Sequence, residues 1–269
     1  MFDRFIHKYL GIPYKLHVKY DRRATVEKAT VVFTHGIAAD SGVWKKVISD
    51  LEKNPQFSDI RIVCFDLFGF GSSPSPSWSK YEMRDHMRSI NRTVKRLKIK
   101  TPLIIAAHSM GALLATNYVS NHRNSVRALL LVSPPFLQPD SDDLIEKIYK
   151  SAFKKIKNDS RTKFIGMVGR IIEKKTSFMS RSLKTKAFGS SLENIIVSGA
   201  TWESAVNLKI PTTIIAGRLD PLVSHANMVK LAKENDNIKL INSLSGHDIV
   251  GPSHRASVQS LLDIIENIL

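Results

Sequence analysis

The stretch that most constrains this chain is Leu103–Tyr118, LIIAAHSMGALLATNY. An apolar, β-prone run, Leu103-Ile104-Ile105-Ala106, leads into Ala107-His108-Ser109-Met110-Gly111, and an apolar helix-like run, Ala112-Leu113-Leu114-Ala115, follows at once. A strand must therefore become a helix within a few residues, with Ser109 at the apex. That is the sequence form of a nucleophile elbow, small-x-Ser-x-Gly. A serine at such an apex sits in a strained backbone conformation, and the residues two before and two after it are expected to face each other closely. Gly111 meets that demand, and Ala107 stands where a first glycine is usual. The plainer reading of the same residues is a serine capping an ordinary helix, so the stretch has to be weighed with the rest of the chain.

Around this turn, strand and helix patterns alternate. Residues 12–20 (IPYKLHVKY) alternate apolar and polar and read as a strand, the first half of a hairpin ending near Asp21-Arg22-Arg23. Thr30–Thr34, Ile60–Phe65, Val126–Val132, Thr212–Ala216 and Ile238–Ile241 read as further strands. Helical spacing appears in Val43, Trp44, Val47, Ile48 and Leu51. It recurs in Met83, Met87, Ile90, Val94 and Leu97, near Ser224–Lys233, and in Val258, Leu261, Leu262, Ile265 and Ile268. The opposite face of the Met83–Leu97 helix carries Arg84, Arg88, Arg92 and Lys95 and reads as solvated. Repeated βα units imply an α/β fold, a mostly parallel central sheet flanked by helices. Residues 136–205 show no strand pattern and three apolar helical stripes. So long a segment exceeds a crossover connection and is expected to be an inserted helical cap, or lid. The expected organisation is a core of residues 1–135 and 206–269 with a cap at 136–205.

A serine hydroxyl is a poor nucleophile until a base takes its proton, and the base needs an orienting carboxylate. Downstream of Ser109, Asp220 is the only acid in the loop Gly217-Arg218-Leu219-Asp220-Pro221 that follows one strand, and His247 lies in Ser245-Gly246-His247-Asp248 after the next. All three fall just past strand C-termini, the edge where open parallel sheets assemble sites. The rivals are weaker. Asp248 adjoins His247, so its side chain is expected to point away from the imidazole. His108 flanks the serine and is expected to project into packing, and His225 and His254 are expected on helix surfaces. An oxyanion hole needs two backbone N–H donors. Met110, opening the helix after Ser109, and Ile37, in the loop His35-Gly36-Ile37 after Thr30–Thr34, are expected to supply them. Gly36 allows close backbone approach, and Gly36 and His108 are assigned to substrate binding. His35 is expected to brace the loop.

Together His35-Gly36, Asp66-x-x-Gly69-x-Gly71-x-Ser73, His108-Ser109-Met110-Gly111, Gly217-x-x-Asp220 and Gly246-His247 make the chain resemble the α/β-hydrolase superfamily, in its lid-bearing serine esterase and lipase-like branch, over residues 12–269. A serine at the apex departs from the dehalogenase and epoxide hydrolase branches, whose nucleophile is Asp. His108 departs from the carbon–carbon bond hydrolases, which usually carry Asn there. The resemblance implies hydrolysis of carboxylic esters through an acyl-serine, with a small-molecule ester as partner and no metal or organic cofactor. Cleavage of a carbon–carbon or amide bond by the same residues, and a non-catalytic binding protein on the same fold, are the alternatives.

Composition narrows the setting. Cys64 is the only cysteine and sits in an apolar strand run, which excludes a disulfide framework and suits the cytoplasm. The first residues, MFDRFIHKYLGIPYK, are charged early and lack the apolar stretch of a secretory signal. No uncharged apolar run reaches membrane-spanning length. The net charge of +16 is concentrated: residues 147–186 hold 13 Lys and Arg against Asp159 and Glu173. A solvated face is one reading of that run, and peripheral contact with an anionic membrane surface is the other. No basic–aromatic module points to specific nucleic-acid binding.

Overall fold

A computed structural model describes residues 2–122, 124–138, 185–198 and 201–269. Its centre is a seven-stranded sheet: β1 Val18–Arg22, β2 Ala29–Thr34, β3 Ile60–Phe65, β4 Leu103–His108, β5 Val126–Val132, β6 Thr212–Gly217 and β7 Ile238–Ser243. The order is β1-β3-β2-β4-β5-β6-β7. Only β1 runs antiparallel, and every other neighbouring pair is parallel. Every residue of β2, β3, β4 and β6 is buried. Strands covered on both faces must be apolar throughout, and that is why their sequences read as continuous apolar runs.

Helices cover both faces. On one, α2 (Lys45–Leu51) and α8 (Pro252–Ile268) bury Val47, Leu51, Leu261 and Ile265 against Val31, Ile62, Ile104 and Leu130. On the other, α3 (Met83–Leu97), α4 (Met110–Asn121) and α7 (His225–Glu234) bury Met87, Ile90, Leu113, Leu114 and Met228 against Val32, Val63, Ile105, Leu129 and Ile214. From β2 the chain moves to β3 on one side, and from β4 it moves to β5 on the other. The sheet thus has its topological switch beside β2 and β4, where a crevice opens at the strand C-termini.

The expected hairpin is not formed. β1 pairs with β3, not with β2, and the strand begins at Val18 rather than Ile12. The cause is competition for the backbone. Arg88 and Arg92 on α3 donate to the carbonyls of Gly11 and Pro13, and Thr93 Oγ1 accepts the Leu16 N–H at 2.9 Å. The face of α3 read as solvated therefore spends two of its arginines on the incoming chain. β1 is then clamped from its other end: the buried Arg61 guanidinium on β3 donates two 2.8 Å bonds to Asp21 and one of 2.9 Å to the Leu97 carbonyl.

Most of the segment expected as a cap, and nearly all of the basic run 147–186, lies outside the described residues. Past residues 136–138, which carry no regular structure, the described parts form α5 (Thr185–Ser191), a helical turn over Leu192–Val197 and α6 (Trp202–Val206). Phe188, Leu192, Ile195 and Trp202 join the core on the α4 face of the sheet. Among the described residues no helix is long and apolar enough to cross a membrane.

Candidate active site

The elbow is built by the clash it avoids. Ser109 has φ 52° and ψ −125°, a conformation that side chains rarely adopt. It is held there because its N–H donates to the Val132 carbonyl at 2.9 Å while α4 starts at the next residue. A Cβ on Gly111 would lie 2.5 Å from the His35 carbonyl oxygen and 3.0 Å from Thr34 Oγ1. The small residue after the serine is therefore demanded by the end of β2, not by Ala107.

Three chain segments converge on Ser109. Its Oγ lies 3.0 Å from His247 Nε2, and His247 Nδ1 donates to Asp220 Oδ2 at 2.8 Å. All three residues are buried, each less than a tenth exposed. Asp220 sits in the loop after β6 and His247 in the loop after β7. The Arg218 and Leu219 amides bond the Ser243 and Ser245 carbonyls, locking the two loops together. Burial alone would raise the Asp220 carboxyl. The charge and hydrogen bond of His247, the Leu222 N–H at 2.8 Å and the Ser133 hydroxyl outweigh it and hold the group below the usual carboxylate range. An ionised Asp220 fixes which ring nitrogen of His247 carries the proton, leaving Nε2 free to accept from Ser109.

Ser133 went unrecognised in the sequence. It follows β5 at φ 47°, is buried and stands directly before Pro134 and Pro135. Its position just past a strand C-terminus, level with the other three, is the signal that could have singled it out. Asp248 is not a partner of the His247 ring. His225 is half-buried and bonds Asn242. His254, expected on a helix surface, is buried with Nε2 3.1 Å from an Asp50 oxygen. α8 packs its polar first turns onto α2 there, and a helical face carrying Ser253, Ser257 and Ser260 carried no apolar signal.

The loop after β2 lies against the serine. A Cβ on Gly36 would stand 2.9 Å from Ser109 Cβ and 3.3 Å from its Oγ, so only glycine lets this backbone come so close. Ile37 follows it and Ala38 turns the chain at φ 61°. Met110 opens α4, where a backbone N–H has no partner within the helix. His35 is fully buried: Nδ1 donates to the Gly36 carbonyl at 2.7 Å and Nε2 accepts the Leu67 N–H at 2.8 Å. Burial pushes that imidazole down, so it holds the loop in neutral form. His108 is buried as well. Its Nε2 donates to the His247 carbonyl at 2.8 Å, the rings lie 5.0 Å apart, and burial with the neighbouring His247 pushes it down to about 3. Asp66, from the Asp-x-x-Gly-x-Gly-x-Ser run, accepts from Ser41 and from the Ser72 N–H. It ties the loop after β3 to the one after β2. No group of three or more His, Cys, Asp or Glu among the described residues could hold a metal ion.

Known proteins share this fold. Residues 29–158 match the family model for the α/β hydrolase fold. A probable lysophospholipase of Arabidopsis thaliana, BODYGUARD 4, is 36% identical over 106 residues. That match covers 39% of this chain and spans only 25% of the relative's length. Human monoacylglycerol lipase ABHD6 is 22% identical across 90% of this chain and 76% of its own. Among solved structures, an esterase from Exiguobacterium antarcticum superposes with a TM-score of 0.70 over 94% of this chain and 99% of its own, at 18% identity. At that identity the likeness shows the fold. The parallel sheet with its one antiparallel edge strand, the strained serine after β4 and the family model matched over residues 29–158 give this chain the α/β hydrolase fold.

Proposed function

We propose that the protein is a serine hydrolase of carboxylic esters, with Ser109 as nucleophile, His247 as general base and Asp220 as the group that orients it. The observation that carries this reading is the continuous chain from Ser109 Oγ to His247 Nε2 at 3.0 Å and from His247 Nδ1 to Asp220 at 2.8 Å, on a serine held at φ 52°. Ser109 Oγ attacks the ester carbonyl as His247 takes its proton. The amides of Met110 and Ile37 receive the developing oxyanion, with Gly36 giving the approach. His247 then hands the proton to the departing alkoxide, and the alcohol leaves an acyl-Ser109. Water, activated by the same His247, attacks the acyl carbonyl and releases the acid. Asp220 stays ionised throughout and stabilises the imidazolium.

The lysophospholipase and monoacylglycerol lipase names of the relatives support a monoacyl lipid ester as substrate. The single buried thiol of Cys64 fits a reducing compartment such as the cytoplasm. The test is turnover of p-nitrophenyl esters from acetate to palmitate, a monoacylglycerol and a lysophospholipid by wild type and Ser109→Ala. The wild type is expected to turn over at least one ester class, and the variant to lose ~10⁴-fold or more while melting at the same temperature. A variant with near wild-type turnover contradicts the assignment.

A further inference from the structure

The first described elements are a helical stretch, Phe2–Arg4 running on through Phe5–Tyr9, from which Phe5 and Tyr9 face outward. Phe5 is 52% exposed, Tyr9 66%, Leu10 58% and Ile12 39%. Phe5 and Tyr9 stand one turn apart with ring centroids 6.3 Å from each other, so the two rings form one apolar face, with Leu10 and Ile12 following directly in the chain. A single exposed apolar residue needs no explanation, but a cluster of this kind marks an interaction surface. The segment is not loosely attached. The His7 ring stacks on Tyr14 at 3.6 Å, Tyr14 donates to Asp3 at 2.7 Å, and the carbonyls of Gly11 and Pro13 are taken by Arg88 and Arg92. The apolar side chains are thus held outward by a packed frame.

Charge and place say what the patch meets. Arg4, Lys8, Lys15 and Arg84 are exposed around it, and the Lys8 ammonium lies 5.4 Å from the Tyr9 ring centroid. The nearby acids are engaged: Asp3 with Tyr14 and His7, Asp85 with the Ser79 hydroxyl, and Glu82 with Lys80 at 3.9 Å. The position follows from topology. α3 lies between two parallel strands in the chain and runs against them, so its first turns, where Arg84 and Arg88 sit, lie at the strand C-termini. Tyr14 stacks on Phe68, three residues past the end of β3. The patch is therefore at the same end of the sheet as Ser109.

We propose that residues 5–12 form an interfacial docking surface that seats this end of the molecule on an anionic phospholipid bilayer. Phe5, Tyr9, Leu10 and Ile12 enter the boundary between headgroups and acyl chains, and Arg4, Lys8, Lys15 and Arg84 meet the phosphates. Charge complementarity favours a lipid surface over a second copy of the chain. A symmetric dimer through this patch would bring its cations against their own equivalents.

The proposal stands apart from ester hydrolysis, because binding is read without turnover. The full chain is pelleted with phosphatidylcholine vesicles, with and without phosphatidylglycerol, at low salt and at ~0.5 M, where screening weakens charge-held binding. The triple variant Phe5→Ser, Tyr9→Ser, Leu10→Ser and the double variant Arg4→Glu, Lys8→Glu run beside it. The wild type is expected to prefer the anionic vesicles and to release at high salt. Each variant is expected to lose ~10-fold or more in partition. Circular dichroism melts check folding, and if the triple variant melts early the double variant, exposed at both positions, decides alone. A wild type that binds neither vesicle, or both equally, overturns the proposal. So do variants that bind like the wild type, and so does a dimer in light scattering that the triple variant converts to monomer.

Discussion

At the scale of single residues, the site depends on which carboxylate faces His247. Adjacent residues in an extended loop point to opposite sides, which is the reason for placing Asp248 away from the ring. The structure has Asp220 on Nδ1, with the Leu222 amide and the Ser133 hydroxyl behind it. Asp220→Asn is expected to lower kcat by roughly 10³- to 10⁴-fold, because an amide cannot hold the productive tautomer or stabilise the imidazolium. Asp248→Asn is expected to leave kcat near the wild-type value. Steady-state kinetics of the two purified variants on one soluble ester checks this, and the reverse ranking would assign the wrong acid. Ser109, Asp220 and His247 were legible because each follows a strand in an order that few loops reproduce. Ser133 was not, since a serine before two prolines looks like turn chemistry wherever it occurs.

At the scale of elements, β2, β3, β4 and β6 were legible because both their faces are covered, and a run such as Ile60–Phe65 has no other reading. β1 was misread for a physical reason. Alternation identifies a half-buried strand but not its partner, and the arginines of α3 that capture Gly11 and Pro13 lie more than 70 residues away along the chain. The clamp that fixes β1, Arg61 with Asp21, was equally invisible, because an arginine inside an apolar strand reads as an exception until its acceptor is known. Arg61 is fully buried. Removing its partner by Asp21→Ala should therefore destabilise the fold by about 2–3 kcal/mol, less than for a wholly buried pair because Asp21 is partly exposed. Adding Arg61→Met should restore more than half of the loss, since an apolar side chain leaves no charge unpaired. Urea unfolding of the two variants decides it, and equal stability of the single variant and the wild type would show that the clamp contributes nothing.

At the scale of the whole molecule, three buried imidazoles are kept neutral by the fold. Burial pushes His86 down to about 4 and His108 to about 3, and lowers His35. Unfolded histidines take a proton near pH 6.5. Below that pH the unfolded chain binds more protons than the folded one, so the stability these groups contribute is complete above about pH 6.5 and is lost as the pH falls toward 4. The lowered Asp66 and Asp220 act with the same sign at still lower pH. Calorimetry should show Tm falling steadily from pH 7 to pH 4.5, and His86→Met should make the fall shallower. A Tm that is flat or rises on acidification contradicts the account. The central claim is that this fold serves to present one activated serine. Mass-spectrometric mapping of a fluorophosphonate adduct on the intact protein tests that most directly. The account predicts a single adduct on Ser109, while no adduct, or one on another serine such as Ser133 or Ser245, would contradict it.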